Sequence, residues 1–558
     1  IARMLETAAQ ADLLSWSIAL GDGDVALLRY TLDLRHGGTI PDADTLNANL
    51  DALVKGWEPA VETALAKMGG NATRLALRYA GALPMAYRDA SGPEEAAQDI
   101  MMLDSLTSDG DRAARLFHRS GEVTSLLRLK LYGRTPIALS DTVPALENFG
   151  FRVLEEQPTA VGDGALGHIH RFILELPAGL DATYVTGHAD AVAEAISCVL
   201  EGAAENDRFN QLMLSSGLEQ RAVILFRALF RYLKQTGMPY GLPTVADVLR
   251  RSPMVATQLV HVFDALHDPA VKGNADTING QIDKALAQVS AIDDDRILRL
   301  YRGVIRATLR TNMYAPAAAE ALAFKFDCAA VPGLPAPPPW REIFVYSPRV
   351  EGIHLRAGPI ARGGLRWSDR RDDFRTEILG LMKAQRVKNA VIVPTGAKGG
   401  FYPKQLPNPA TDRDAWLAEG TESYRIFIRT LLSVTDNLVE GKLVHPDSVT
   451  IRDGEDPYFV VAADKGTATF SDVANAIALQ RSFWLGDAFA SGGSVGYDHK
   501  AMGITAKGGW VSVRRHFAEM GVDVQKEPVR VVGCGDMSGD VFGNGMLLSK
   551  AVKLVAAF

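Results

Sequence analysis

One lysine stands among glycines in the segment VPTGAKGGFYPK, residues 393–404. The apolar run at residues 390–393 predicts a short buried strand, and the proline and glycines after it predict a loop that closes around Lys398. Loops at the carboxyl ends of strands are the places where α/β folds put their chemistry. We therefore predict that Lys398 acts on a substrate.

The region around Lys398 carries a surplus of positive charge inside an acidic chain. Residues 361–400 contain nine Lys or Arg against four Asp or Glu, whereas the whole chain has a net charge of −7. Arg362 precedes two glycines, and Lys388 ends a helical segment just before the predicted strand. Cations that meet in one place would hold a small dianion and lower one another's pKa values. A lysine with a lowered pKa acts as a base or polarises a carbonyl near neutral pH.

An aspartate follows another apolar run farther along the chain. Residues 459–462 predict a strand that delivers Asp464 to a loop of small residues. Taken alone, such an aspartate is more often a turn former or a helix cap than a catalytic group. Its type and place nevertheless make it a candidate for proton transfer.

The last part of the chain has the pattern of a dinucleotide-binding turn. The apolar run at residues 529–532 predicts a strand, and a glycine-rich turn, a helix and the apolar run KLVAAF follow it. Two glycines permit close approach of a pyrophosphate, which the helix N-terminus stabilises. The pattern predicts the beginning of a Rossmann domain, with serine where a third glycine is usual. The candidate cofactor contacts in this turn are Gly533, Gly535, Asp536, Met537 and Ser538.

Composition limits the class of protein. A chain of 558 residues with 47% hydrophobic content is too long for one core. It has no apolar run long enough to span a membrane, and its net charge argues against nucleic acid as a partner. Three distant cysteines favour a reduced, cytoplasmic protein with no metal site. An initial Ile and a final apolar run favour an internal piece of a longer protein.

These features must be positioned by several domains, and we predict a multidomain α/β and α+β protein. The strand–helix–strand–strand pattern of residues 126–176 resembles an ACT-type regulatory fold, with a structural spacer as the alternative. The predicted division is the end of an ACT-like module plus a helical segment (1–120), an ACT-like α+β module (121–185), a helical domain (186–330), a Pro-rich linker at a domain boundary (331–340), a catalytic substrate-binding domain (341–525) and the truncated beginning of a Rossmann domain (526–558).

The segment ARGGLRWSDRRDDFRTEILGLMKAQRVKNAVIVPTGAKGGF, residues 361–401, resembles the substrate-binding region of the large NAD-specific glutamate dehydrogenases. The small hexameric glutamate dehydrogenases have a lysine where this chain has Arg362. Their next substrate lysine corresponds to Lys388 and their catalytic lysine to Lys398. The resemblance also makes Asp464 the proton-transferring aspartate, and Thr505 the threonine near the nicotinamide.

The resemblance implies the reversible, NAD-dependent oxidative deamination of L-glutamate to 2-oxoglutarate and ammonia. Arg362 and Lys388 would hold the two substrate carboxylates. Lys398, with a lowered pKa, would activate the water that attacks the imine, and Asp464 would move protons to and from the nitrogen. NAD rather than NADP is implied by the family alone, because the acidic residue that contacts the ribose is expected beyond residue 558.

Two other interpretations stay open. One is an amino-acid dehydrogenase for apolar side chains, although such an enzyme would not need Arg362 for a second carboxylate. The other is a regulatory or assembly fragment with no activity of its own. Expected partners are the small-molecule substrates, an amino-acid effector at the ACT-like modules and further copies of the chain in a homo-oligomer, with no nucleic acid and no membrane.

Overall fold

The chain forms two compact units in a computed structural model, Ile1–Gln220 and Arg221–Phe558. The structure describes residues 1–20, 26–54, 56–271, 273–388, 394–464, 469–496, 499–535, 537 and 539–558. No helix in these ranges is both long and apolar enough to cross a bilayer.

The first unit combines a β-hairpin, helices and a small sheet. Its elements are α1 (Ala2–Ala9), β1 (Asp12–Leu20), β2 (Ala26–Asp33), α2 (Ala43–Val54), α3 (Trp57–Met68), α4 (Ala72–Tyr79), α5 (Met85–Ala90), α6 (Pro93–Ser105), β3 (Arg112–Phe117), β4 (Leu126–Gly133), α7 (Leu139–Phe149), β5 (Arg152–Val161), β6 (Gly167–Glu175), α8 (Ala182–Thr186), α9 (Ala189–Leu200) and α10 (Leu212–Ser216).

The small sheet has the order β3-β4-β6-β5, and each neighbouring pair is antiparallel. The strand–helix–strand–strand pattern predicted from residue 126 onward is present as β4, α7, β5 and β6. The helical segment predicted within residues 1–120 is wrong at its end, because β3 pairs along its whole length with β4. Its sequence, RAARLF, consists largely of good helix formers, so pairing in the sheet overrides local propensity here.

The second unit contains the helices and strands that carry the candidate site. Its elements are α11 (Gln220–Gln235, starting one residue before the division), α12 (Leu242–Arg251), α13 (Pro253–His267), α14 (Ala275–Leu286), α15 (Ile292–Ala307), β7 (Thr308–Thr311), β8 (Leu322–Asp327), β9 (Arg341–Tyr346), β10 (Val350–Arg356), β11 (Ala361–Trp367), α16 (Phe374–Lys388), β12 (Thr395–Pro403), α17 (Arg413–Leu432), β13 (Asn437–Val439), β14 (Lys442–Val444), β15 (Val460–Ala463), α18 (Ser471–Gln480), β16 (Ala490–Ser491), α19 (His499–Met502), α20 (Ile504–Glu519), β17 (Val529–Gly533), a π-helical turn (Asp540–Asn544) and β18 (Val552–Ala557).

The large sheet of this unit has the order β16-β15-β11-β12-β10-β9-β8-β7 within the described residues. The strands β16, β15, β11 and β12 are parallel to one another, and the remaining neighbours pair antiparallel. Because parallel strands run in one direction, the carboxyl ends of β15, β11 and β12 lie at the same edge of the sheet. Side chains near these ends can meet although they are far apart in sequence.

The Pro-rich segment 331–340 is not a boundary between folded units. It connects β8 and β9, which are hydrogen-bonded neighbours in the large sheet. The strands β7 and β8 belong to the same sheet, so the segment 186–330 is not purely helical either. The proline content predicts a connecting segment here, and the structure has one. Strand pairing shows that the strands before and after this segment belong to one sheet.

Two helical layers cover the large sheet, one on each face. On one face α17 packs so closely that a Cβ atom on Gly420 would lie 1.9 Å from the ring of Trp367, and one on Gly352 would lie 2.4 Å from Phe427. This face holds an apolar core that includes Leu365 and Phe401. The helix α16 covers part of the opposite face, and the candidate site lies on that face.

Candidate active site

Lys398 lies inside a strand and not in a loop. It belongs to β12, which pairs with β10 on one side and β11 on the other. The glycines around it are required by packing rather than by a turn. A Cβ atom on Gly396 would lie 2.8 Å from the backbone of α16, and one on Gly400 would lie 2.4 Å from Ile378 of the same helix. The predicted glycine loop is therefore wrong, because a close helix made glycine necessary in a strand.

Lys398 and Asp464 form an ion pair. The Nζ atom of Lys398 lies 2.5 Å from Oδ2 of Asp464, and the two side chains are 6% and 22% exposed. Asp464 directly follows β15, as the sequence predicts. The strands β12 and β15 flank β11, so the pair forms across the central strand of the parallel part of the sheet. A proton can pass directly between these groups at this distance.

Arg366 is a third member of the cluster, and it was not assigned a role from the sequence. Its Nε atom donates a hydrogen bond to Oδ2 of Asp464 at 3.1 Å, and its Nη1 atom donates to Oε1 of Glu377 at 3.0 Å. Ser368 donates to the other oxygen of Glu377 at 2.8 Å. Burial alone would lower the pKa of Arg366, but its hydrogen bond to Glu377 and the charge of Asp464 outweigh burial and raise it.

Strand alternation could have identified Arg366 as part of the site. In β11 the odd-numbered residues 361, 363 and 365 are buried, and the even-numbered positions carry Arg362, Gly364 and Arg366. Register pairs Arg362 with Gly396 and Arg366 with Gly400, so Lys398 shares their face of the sheet. The period of two in RGGLR therefore indicates that both arginines share one face, and the register with β12 places the lysine on the same face.

Arg362 lies apart from the ion pair. Its side chain is exposed and donates through Nη2 to Oγ of Ser491 at 2.8 Å. It lines a cleft of about 730 Å³ together with Ala462, the glycine-rich segment 491–496 and Ile504. Register places Lys398 about 7 Å farther along the strand direction than Arg362. The same register puts Gly364 level with Lys398 on this face, and Gly364 adds no side chain beside the lysine.

The other predicted substrate contact is Lys388. The helix α16 ends at Lys388, whose side chain lies outside the described residues. The predicted strand at residues 390–393 also lies outside them.

The predicted cofactor turn lies between two parallel strands. The strand β17 ends at Gly533 and pairs in parallel with β18, with the π-helical turn between them. A Cβ atom on Gly533 would lie 1.9 Å from the ring of Phe542, and Gly535 has a φ of 141°, which favours glycine. This compact strand–turn–strand unit fits a dinucleotide turn, and at the place of the predicted helix the structure has a π-helical turn of five residues.

The remaining cofactor candidates differ in how far the structure describes them. Met537 is exposed beside the turn, whereas Asp536 and Ser538 lie outside the described residues. Thr505 lies in the first turn of α20, next to Ile504 of the cleft. In the described part of the chain, no group of three or more His, Cys, Asp or Glu side chains is arranged to hold a metal ion.

Four family models match the chain. The model for the catalytic domain of bacterial NAD-glutamate dehydrogenase matches residues 281–558. Models for glutamate dehydrogenase helical motif 3, the ACT3 domain and helical motif 2 match residues 204–269, 111–185 and 64–106. The match to the ACT3 domain includes β3, a strand that the sequence pattern does not predict.

Similar curated proteins carry one name, NAD-specific glutamate dehydrogenase. The chain is 47% identical over 554 residues to the NAD-specific glutamate dehydrogenase of Mycobacterium tuberculosis. The aligned region covers 94% of this chain and 34% of the relative. The chain is 48% identical over 520 residues to that of Pseudomonas aeruginosa, covering 90% of this chain and 32% of the relative. For Halomonas elongata the identity is 46% over 546 residues, with coverages of 95% and 34%. The chain thus spans about a third of the length of the curated relatives it matches.

Proposed function

Because the chain belongs to the family of large NAD-specific glutamate dehydrogenases, we propose that it carries the catalytic centre for oxidative deamination of L-glutamate to 2-oxoglutarate and ammonia. The observation that carries this proposal is the 2.5 Å contact between Lys398 and Asp464. It joins, on one face of the parallel part of the sheet, the two groups that the reaction needs for proton transfer.

Arg362 and Lys388 hold the two carboxylates of the substrate in this proposal. Arg362 stands at the cleft with an exposed guanidinium, whose planar fork can donate two hydrogen bonds to one carboxylate. Its contact with Ser491 supports the guanidinium at the edge of the cleft. Gly364 adds no side chain to this face between Arg362 and Arg366, which supports a substrate that extends from Arg362 towards Lys398.

The glycine turn after β17 holds the cofactor NAD in this proposal, through Gly533, Gly535, Asp536, Met537 and Ser538. NAD, when bound, accepts the hydride that leaves the α-carbon of glutamate. Thr505 lies on α20 beside the cleft, which supports a role near the nicotinamide. Loss of the hydride leaves 2-iminoglutarate, whose hydrolysis falls to side chains of this chain.

Lys398 and Asp464 carry out the hydrolysis by exchanging protons. Neutral Lys398 takes a proton from the water that attacks the imine carbon, and its ammonium form then faces the developing oxygen charge. Asp464 gives a proton to the departing nitrogen, and Lys398, once it has passed its own proton to Asp464, takes the proton of the carbinol hydroxyl as ammonia leaves and the carbonyl of 2-oxoglutarate forms. Lys398 can return a proton to Asp464 directly, because the two groups are in hydrogen-bond contact.

The first unit has a regulatory role in this proposal. Its sheet β3-β4-β6-β5 matches the ACT3 model, which supports binding of an amino-acid effector. Assembly into a homo-oligomer and a cytoplasmic location stay predictions.

The test of the proposed function is a comparison of substrates and cofactors on the longest natural form of the protein that carries this chain. We expect L-glutamate to reduce NAD, with much slower reduction of NADP and much slower oxidation of L-leucine. A preference for leucine would contradict the role of Arg362 and favour an apolar amino-acid dehydrogenase. An absence of glutamate-dependent reduction with either cofactor would refute the proposal.

A further inference from the structure

Asp464 is contacted by two cations of different chemical character. Lys398 and Arg366 both reach its Oδ2 atom, at 2.5 and 3.1 Å. Lysine can lose its proton during a reaction, whereas the arginine guanidinium stays charged in proteins. One partner of this carboxylate can therefore exchange protons with it, and the other is a permanent positive charge.

Arg366 is itself held from the side away from Asp464. Glu377, in the first turn of α16, accepts a hydrogen bond from its Nη1 atom, and Ser368 donates to the second oxygen of Glu377. The side chains of Arg366 and Glu377 are 22% and 17% exposed, so the pair is largely shielded from water. Two hydrogen bonds to opposite ends of the guanidinium fix its plane better than a single contact would.

We propose that Arg366 is a positioning residue for the reaction: anchored by Glu377 and Ser368, it holds the Asp464 carboxylate against Lys398 and supplies a constant charge to the proton-exchanging pair. This inference rests on the proposed function of Lys398 and Asp464. Neither Glu377 nor Ser368 contacts the pair through any hydrogen bond found in the described residues, so they act through Arg366.

The charges that face Asp464 come from each neighbouring element. Lys398 lies on β12, Arg366 on β11, and Glu377 on α16 behind Arg366. Arg362 shares the face of Arg366 but lies four residues earlier, with its guanidinium on Ser491. Arg366 is thus a permanent charge in direct contact with the pair.

Removal of the charge gives a signed prediction. Arg366→Gln takes away a permanent positive charge that contacts Asp464 and opposes the uptake of protons by the pair, so proton uptake should become easier. We expect both limbs of the pH profile of kcat/KM to move to higher pH by about one unit. Arg366→Lys keeps the charge and loses the fork, so its limbs should stay near the wild-type positions while kcat falls.

Glu377→Gln provides an independent test with the opposite sign. It removes a negative charge while leaving Arg366 in place, so both limbs should move to lower pH. The shift should be smaller than that of Arg366→Gln, because Arg366 lies between Glu377 and the pair. Arg349→Gln is the matched control, since it breaks an arginine–glutamate pair with Glu419 elsewhere on this unit. Its limbs should not move.

These variants separate a positioning role from a merely structural one. Unmoved limbs in Arg366→Gln, or limbs of Glu377→Gln that move upward, would overturn the inference. A large rise in the KM for glutamate with an unchanged pH profile would also overturn it, because Arg366 would then bind substrate. If Arg366→Gln does not fold, the direction of the shift in Glu377→Gln decides.

Failure of the proposed function would look different. If the wild-type protein and Asp464→Asn turn over glutamate equally, the proton-transfer assignment itself fails. If Asp464→Asn is inactive and the limbs of Arg366→Gln are nevertheless unmoved, only the positioning role of Arg366 fails.

Discussion

Replacement of Lys398 by alanine tests the centre of the proposed mechanism. The change removes the group that takes a proton from water and that contacts Asp464 at 2.5 Å. Loss of a positioned general acid–base group costs about 100- to 10,000-fold in turnover. That range corresponds to about 3 to 5 kcal/mol of transition-state stabilisation. We expect kcat to fall by this factor at every pH in the working range.

The same change should leave the protein folded. Breaking a fully buried ion pair costs about 3 to 5 kcal/mol, because the remaining charge has no partner. Here Asp464 keeps its hydrogen bond from Arg366 and is partly exposed, so its charge remains compensated. We therefore expect the free energy of unfolding to fall by only about 1 to 3 kcal/mol.

The assay is the initial rate of NAD reduction with glutamate, together with urea unfolding of each variant. Lys404→Ala is a matched control, because Lys404 has nearly the same exposure, 7%, and pairs with Glu351 at 3.1 Å outside the site. The control should lose similar stability and keep near-normal turnover. Near-normal turnover in Lys398→Ala would refute the mechanism, as would an equal loss of turnover in both variants.

Asp464→Asn should leave the KM for glutamate nearly unchanged and lower kcat at least about 100-fold; a raised KM with normal kcat in steady-state kinetics would make Asp464 a binding residue instead. Arg362→Met should weaken glutamate about 10- to 100-fold and leave norvaline unchanged, because an exposed charged contact is worth roughly 2 kcal/mol; an unmoved ratio of the two kcat/KM values would count against it. Burial alone would raise the pKa of Asp456, but Arg356 and Lys325 outweigh burial and hold the pKa below its usual value of 3.8. Ionised Asp456 therefore stabilises the fold above about pH 4, and this contribution is lost as the pH falls through the lowered pKa. Asp456→Asn should accordingly lower stability at pH 7 by about 3 kcal/mol, and by less near pH 2, in urea unfolding.

Local features of the sequence were sufficient for several elements. The alternating pattern of residues 126–133 and the apolar runs before Asp464 and Gly533 predicted strands that the structure contains. Patterns of this kind depend only on which face of a strand is buried, which neighbouring residues disclose. The resemblance of residues 361–401 to glutamate dehydrogenases likewise needed no coordinates.

The glycine-rich segment shows where local reasoning fails. Glycine has a low propensity for strands, so the sequence around Lys398 predicts a loop. Its strand state follows from the close packing of α16 and from pairing with β10 and β11. Neither contact is visible in the segment itself. The same limit explains β3, whose helix-forming residues became a strand because β4 lies beside them.

The sequence by itself determined which chemical groups are available: a lysine between glycines, an aspartate after an apolar strand and an arginine before two glycines. Tertiary structure decided which of them meet. Parallel pairing of β15, β11 and β12 brings Asp464 to Arg366, 98 residues away in sequence, and to Lys398. The same register leaves Arg362 at the cleft. Register between strands depends on interactions summed over the whole sheet, which is why the partner of Asp464 could not be deduced from the residues around it.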